Sequence, residues 1–308
     1  MQNSSIEWTD HTFNPWHGCF KVSPGCQHCY AETMNHRYGF QNWGPAKTTT
    51  RRKMSAHYWQ QPLKWDRLAQ VSGRKRVFCA SMADVFEDHP QVEDWRADLW
   101  DLIRLTPNLD WLLLTKRPEN ILEMIPVSWR HGPAANVWYG TSVENQEYAD
   151  KRIPELLKVP AKVRFLSCEP LLGPVTLRRW VRPSLGWAPD PIQWVIVGGE
   201  SGHDARPMHP DWAWSLRDEC QAAGDVAFFF KQWGEYEPYE EDAQPPFWND
   251  QHGRCIDGHA LDIIDPESGD MGKGWHEASL YSPYAFRRVG KHAAGRLLDG
   301  RTWDEVPL

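Results

Sequence analysis

Three cysteines near the amino end, Cys19, Cys26 and Cys29, follow the spacing C-x6-C-x2-C, and an aromatic residue, Tyr30, stands directly after the last. Three thiolates this close can each take one iron of a [4Fe-4S] cluster and leave the fourth iron without a protein ligand. A vacant iron gives a small molecule a place to bind and accept an electron. Gly18, Pro24 and Gly25 supply the turns that such a loop requires. The same cysteines admit a zinc knot, with His17 or His28 as the fourth ligand. No second C-x2-C pair occurs, and Cys79, Cys168, Cys220 and Cys255 are scattered singly. The odd cysteine count and the lack of a secretory leader argue against a disulfide framework, so reduced thiols and a cytoplasmic setting are expected.

The 308 residues are enough to bury a full core. There is no run of about eighteen apolar residues, so no membrane span is expected. The net charge of −7 argues against nucleic-acid binding by the surface as a whole. Local basic clusters do occur, at Arg51, Arg52 and Lys53, and again at Arg287, Arg288, Lys291, His292, Arg296 and Arg301. Each reads first as a solvated face, and second as a phosphate contact. Tryptophans such as Trp59, Trp65, Trp95, Trp100 and Trp111 read as packing residues, with stacking platforms for a ring substrate as the alternative.

The elements that would position the cysteines show a regular beat. Short apolar runs at Arg76–Ala80, Trp111–Thr115, Val137–Thr141, Val163–Ser167, Trp194–Gly198 and Val226–Phe230 alternate with longer amphipathic stretches. The stretches Val92–Leu105, Asn145–Leu157 and Asp211–Ala223 have helical periodicity. Runs this short and this continuously apolar fit parallel strands covered on both faces. With a further strand near Thr12–Gly18, the expectation is an α/β fold: a full or partial (β/α) barrel of about six to seven parallel strands. Residues 1–235 would form the barrel, 236–283 an insertion or lid, and 284–308 a tail with a short basic helix near Phe286–Leu297 that packs back on the barrel.

Barrels place their chemistry at the carboxyl ends of the strands. Polar residues collect after each run: Ser81, Asp84, Glu87 and Asp88; Thr115, Lys116 and Arg117; Ser142, Glu144 and Asn145; Ser167 and Glu169; Gly198, Gly199, Glu200 and Ser201; Lys231, Gln232 and Trp233. Closure of a barrel would bring them to one mouth. Salt bridges across that mouth are the plain alternative for the charged ones. Gly198-Gly199 lacks the dinucleotide fingerprint, but it permits close approach of backbone to a ligand, with Glu200 placed to accept from hydroxyl or ammonium groups.

A cysteine triplet ending Cys26-x2-Cys29-Tyr30-Ala31 on the first loop of a barrel resembles the radical S-adenosylmethionine (SAM) superfamily, although the usual first gap there is three residues. The chain more closely resembles a phage- and prophage-associated group of such proteins, long described as a domain of unknown function. Ser5–Thr9 with Asn14-Pro15, Ser167–Gly173, Gly198–Gly202, Phe230–Gly234 and Gly295–Trp303 carry that likeness across nearly the whole chain. The resemblance implies a [4Fe-4S] cluster on Cys19, Cys26 and Cys29, with SAM on the open iron and a flavodoxin- or ferredoxin-like reducing partner. It implies Tyr30 at the adenine edge and Ser81 and Asp84 at the SAM amino group. Ser142, Glu144, Gly198 and Gly199 join the cofactor side, while Glu169, Glu200, Lys231 and Lys116 stand on the catalytic side. Among the acidic and hydroxyl groups, Ser142, Glu144, Glu169 and Glu200 are candidates for the SAM ribose and the substrate. Lys116, Arg117 and Lys231 would hold a carboxylate or phosphate. Phage association implies a modified thymine in DNA as substrate, isomerised from an N-linked to a C-linked glycine adduct, with the base flipped out or single-stranded. A thymine-repair lyase using Cys79 or Cys168 as hydrogen donor, or a non-catalytic zinc- or cluster-stabilised binding protein, are the alternatives.

Overall fold

The computed structural model describes residues 3–181, 191–240, 263–264, 271–272 and 284–307. Seven strands form one sheet, β1 (His11–Thr12), β2 (Lys75–Cys79), β3 (Leu109–Thr115), β4 (Val137–Ser142), β5 (Val163–Cys168), β6 (Trp194–Gly198) and β7 (Ala227–Gln232), each beside its neighbour in sequence. The pairs from β1 to β5 are parallel, in registers that include His11 with Val77, Phe78 with Leu112, Leu113 with Tyr139 and Thr141 with Leu166. Every residue of β4, β5 and β6 is buried, as expected of parallel strands covered on both faces. The sequential order is that of a (β/α) barrel, and all six expected runs fall on strands of this sheet.

Five helices carry the connections: α1 (Tyr30–Arg37), α2 (Gln61–Ser72), α3 (Glu93–Arg104), α4 (Gln146–Leu157) and α5 (Pro210–Ala223). α3 has Glu93 and Asp94 in its first turn and Arg104 in its last, which complements the helix dipole. α5 starts on Pro210 and stops at Gly224 in the left-handed conformation.

The first strand is shorter than expected. After Thr12 the chain leaves the sheet at Asn14-Pro15, and Trp16–His17 pairs antiparallel with Arg52–Lys53 instead. Pro15 has no N–H to give a ladder, and Asn14 is occupied, its Nδ2 donating to Ser81 Oγ and its Oδ1 accepting from the Met82 amide.

Contacts divide the chain into two compact units, one of Met1–Ser142, Asp150–Ser167 and Pro183–Trp194, the other of Val143–Ala149, Cys168–Arg182 and Val195–Leu308. The first has an aromatic core. Trp8 stacks at 4.6 Å from Phe78, and the Trp8 and Trp138 rings each meet Trp194 edge-on at 6.1 Å. Phe13 is packed between Trp65 and Trp111. Trp65, Trp100 and Trp111 are therefore packing residues, and truncating one such buried indole costs about 3–5 kcal/mol.

In the second unit the tail returns to β7: the Phe230 amide donates to Trp303 O at 2.9 Å, and Trp303 packs edge-on against Phe228. The expected tail helix is corrected. Tyr284–Arg288 is a strand paired antiparallel with Tyr236–Glu240, and only Lys291–Ala294 is helical, between Gly290 and Gly295, both at positive φ. Most of the segment expected as an insertion or lid lies outside the described residues. Among the described residues no helix is long and apolar enough to cross a membrane.

Candidate metal centre

The cysteine loop begins at Gly18, whose amide donates to Met82 O beyond the end of β2. Gly18 has φ of +120°, and a Cβ there would lie 2.5 Å from Asn42 O and 2.6 Å from Arg51 Cδ, so only glycine fits. Cys19 O accepts from the Gly44 amide. A single 3₁₀ turn, Pro24–Cys26, follows, and Cys29 then caps α1. All three thiols are free and half-buried. Burial pushes Cys29 up, while the Glu32 and Ala31 amides, and then the Lys116 charge, oppose it. These are the unsatisfied N–H groups of a helix start, which favour an anionic sulfur. Burial likewise pushes Cys19 up to about 12, against the nearby Arg117 charge. A charge on Cys26 would raise both Cys19 and Cys29, so the three sulfurs share one electrostatic neighbourhood.

Two buried ion pairs hold the loop. Arg117 Nη1 donates to Asp84 Oδ2 at 2.7 Å and lies 3.8 Å from Cys19 Sγ; Nη2 donates to Phe20 O at 2.9 Å, and the guanidinium covers the Phe20 ring. Asp84 also accepts from Thr115 Oγ1, the Phe86 amide and the Lys116 amide. Burial alone pushes the Asp84 carboxyl up, but Arg117 and these donors outweigh it and hold it below the usual carboxylate range. The second pair is Arg51 with Glu87, bidentate at 2.8 and 2.7 Å, with both side chains 0% exposed. Arg51 also donates to Asn42 O, Thr49 Oγ1 and Gly44 O, which braces the strand of chain behind the cysteines. From α3, Arg96 donates to Val85 O and Glu87 O and pins the segment that carries Asp84 and Glu87.

Several expected roles change here. Asp84 and Arg117 spend their hydrogen bonds on each other and on the loop. Arg51 is sealed against Glu87 and cannot meet a phosphate; Arg52 lies over the Phe40 ring and Lys53 pairs with Asp98. Ser81 is bonded to Asn14, and its carbonyl accepts from the Tyr30 hydroxyl at 3.0 Å, which ties α1 to the end of β2. Lys116 Nζ donates to Ser142 Oγ at 3.1 Å, within electrostatic reach of Cys29. Asp84, Ser81, Lys116, Ser142 and the cysteines thus form one site in the first unit.

For the zinc alternative, His17 is engaged with Arg52, Nδ1 to Nη2 at 2.9 Å, and burial followed by the Arg52 charge pushes it down to about 4. Among the described residues no three His, Cys, Asp or Glu side chains gather around a single point for one ion. A cubane does not ask for that, since each thiolate takes its own iron. Three free thiols on one loop, with a buried guanidinium and helix-start amides aimed at sulfur, are a donor set that fits such a cluster.

The second unit holds the other candidates. Lys231 Nζ donates to Glu169 Oε1 at 2.6 Å. Gln232 Nε2 donates to Ser201 Oγ at 2.9 Å, while Gln232 Oε1 is buried with no partner among the described residues. Gln232 and Ser201 were legible only as members of polar strand ends. Gly198 packs against Glu169, and a Cβ on Gly199 would lie 1.9 Å from Trp233 O. Glu200 is clamped by Arg206, at 2.7 Å from Nε and 2.6 Å from Nη2, so its carboxylate is turned to a neighbour rather than left for a ligand. Glu144 is buried, and its carbonyl accepts from the Leu172 amide. Cys79 and Cys168, the expected hydrogen donors of a lyase, are fully buried, and burial pushes both thiols up.

Across residues 3–307 the chain matches the family described as "Protein of unknown function (DUF5131)". No curated protein matches it by sequence. Among solved structures it is similar to spore photoproduct lyase. A variant of that enzyme with bound AdoMet and dinucleoside spore photoproduct is 12% identical, over 91% of this chain and 68% of that one, at a TM-score of 0.40. A second variant, with dinucleoside spore photoproduct, is 11% identical over 91% and 69%, at 0.39.

Proposed function

We propose that this chain, which belongs to the DUF5131 family, is a radical SAM enzyme whose Cys19, Cys26 and Cys29 hold a [4Fe-4S] cluster. The observation that carries the reading is the Arg117 guanidinium, buried at the end of β3 and directed at Cys19 Sγ and Phe20 O in a loop of three free thiols. A charge buried against a sulfur is costly unless that sulfur is anionic, and metal ligation is what makes a buried thiol anionic. When bound, the cluster and SAM supply a 5′-deoxyadenosyl radical that takes hydrogen from an unactivated carbon.

The chain's own residues have separate tasks on this reading. Arg117 and the Ala31 and Glu32 amides offset thiolate charge. Lys116, joined to Ser142 beside Cys29, offers a cation and a hydroxyl to the amino-acid end of SAM. The Tyr30 ring, fixed through its hydroxyl to Ser81 O, offers an edge to the adenine. In the second unit, Glu169, Lys231, Gln232 and Ser201 offer paired charges and an amide to the substrate. The substrate of this proposal is a thymine in DNA whose methyl carbon bears an N-linked glycine. Its isomerisation breaks the glycine α C–H and the thyminyl C–N bond and forms a C–C and an N–H bond, with no net oxidation. Lys231 is the cation suited to the glycine carboxylate.

Anaerobic reconstitution tests the reading. The expected result is about four irons per chain, lost in Cys29→Ala, and 5′-deoxyadenosine on reduction with SAM. A single tetrahedral zinc in place of iron defeats it. Nucleoside mass analysis of DNA carrying the adduct tests the substrate: an unchanged adduct, or cleavage of a thymine dimer in its place, removes the isomerisation and leaves the radical chemistry standing.

A further inference from the structure

α1 is amphipathic in the wrong direction. Its buried residues are Ala31 and Asn35, one tiny and one polar. Its solvent face carries Tyr30 and Met34, and Tyr38 follows at the cap in the same four-residue step; the three are 53%, 43% and 68% exposed. With Phe40 they make four exposed large apolar side chains within eleven residues, and no other such stretch among the described residues has more than two. A helix that only packs on its own core turns these residues inward. A contiguous apolar face rimmed by polar groups marks an interaction surface.

We infer that this face is the docking surface of a small, acidic, one-electron donor protein. The inference rests on the cluster reading above and extends it to the partner. Charge complementarity selects the occupant. Residues 18–53 hold Lys21, Arg37, Lys47, Arg51, Arg52 and Lys53 against Glu32 alone, in a chain whose net charge is −7. An acidic partner is repelled by most of the surface and drawn to this segment. Arg37 lies on α1 itself, and Arg52 sits 4.1 Å over the Phe40 ring, so cations border the apolar face. Position selects the partner's task. α1 starts at the residue after Cys29, which gives an electron arriving on this face the shortest covalent path to a cluster sulfur. A nucleic acid would ask for a row of available cations to meet phosphates. Here Arg51 is sealed against Glu87, Lys21 is paired with Glu32, and Lys53 with Asp98. An interface of this extent belongs to the small, transient class typical of redox partners.

The test uses reduced flavodoxin as the acidic donor and dithionite as a reductant too small to need a docking face. The variants are Met34→Glu with Tyr38→Asp, and Arg37→Glu, none of them among the residues assigned to the cofactor. Two quantities are read: the rate of cluster reduction by each reductant, and flavodoxin binding by calorimetry to the purified protein. The expected result is a loss of about tenfold or more in flavodoxin binding and flavodoxin-driven reduction, with dithionite reduction unchanged. The wild-type flavodoxin rate falls as the Debye length shrinks from ~30 to ~8 Å. Wild-type binding and rates retained in both variants overturn the inference. So does loss of affinity for a single-stranded oligonucleotide with flavodoxin binding intact, which would assign the face to nucleic acid. If dithionite also fails to reduce the wild-type protein, the cluster reading falls, and the calorimetric result still decides whether the face binds the acidic partner.

Discussion

Replacing Asp84 with Asn isolates the pair that holds the cysteine loop. The substitution keeps the shape and removes one charge. Arg117 would then be a buried cation facing Cys19 Sγ and Phe20 O with no carboxylate beside it, and the four donors now turned to Asp84 would meet a neutral amide. Removing one partner of a buried pair costs about 3–5 kcal/mol, mostly for the charge left behind. In a chain this large, 1 kcal/mol moves the melting temperature by about 2–4 °C, so the expected drop is roughly 6–20 °C at neutral pH. The pH dependence has a definite sign. The folded Asp84 pKa is depressed, so its contribution is fully present above the unfolded carboxylate value of about 3.9 and is lost as pH falls through the folded value. The gap between wild type and Asp84→Asn should be constant from pH 7 to 5 and close only in strong acid. Thermal melts across that range measure it. The double variant Asp84→Asn with Arg117→Gln should cost less than the two single changes added together. A gap below about 1 kcal/mol, or additive costs, would refute the reasoning.

Glu87→Gln uncovers the charge of Arg51 at a site with no solvent access and should cost about 3–5 kcal/mol in urea unfolding, with little dependence on salt. Gly199→Ala places a methyl 1.9 Å from Trp233 O and should destabilise by about 3 kcal/mol or more, read as a shift in the urea midpoint at constant slope. Lys231→Met removes the partner of Glu169 and should lower nucleoside product about 10²-fold while 5′-deoxyadenosine formation continues, since it displaces the substrate and not the cysteine loop.

Much of the fold is legible because it is local. Val163–Cys168 and Trp194–Gly198 are apolar at every step but the last, and no other regular element buries such a run on both faces so cheaply. The departures have equally local causes. Pro15 ends the first strand early, and Gly290 and Gly295 confine the tail helix to Lys291–Ala294, whereas its charge pattern suggested a longer one. The roles of the charged residues are another matter, because a partner distant in sequence leaves no local mark. Arg51 reads as part of a basic surface run, yet Glu87, 36 residues away, takes it out of solvent entirely. Arg117 reads as a ligand-binding cation, yet it reaches back 98 residues to Cys19. Spacing identified the three thiols; it gave no sign of the second layer that would govern their charge.

That second layer explains why the loop tolerates a first gap of six residues. A short gap holds its cysteines through the turn itself. A longer one must be held from outside, and here each part of the gap has an external anchor: Gly18 on Met82 O, Cys19 O on the Gly44 amide, Phe20 O on Arg117. The anchors lie at the carboxyl ends of β2 and β3 and on the segment up to Arg51, which itself is locked by Glu87. Buried ion pairs contribute little to stability compared with apolar packing, but they fix one arrangement among several. At this loop the arrangement sets which sulfurs face one another. The charges that first looked like ligand contacts are therefore spent where geometry is needed most, and the residues left for small molecules are the less conspicuous ones, Lys116 with Ser142 and Lys231 with Gln232.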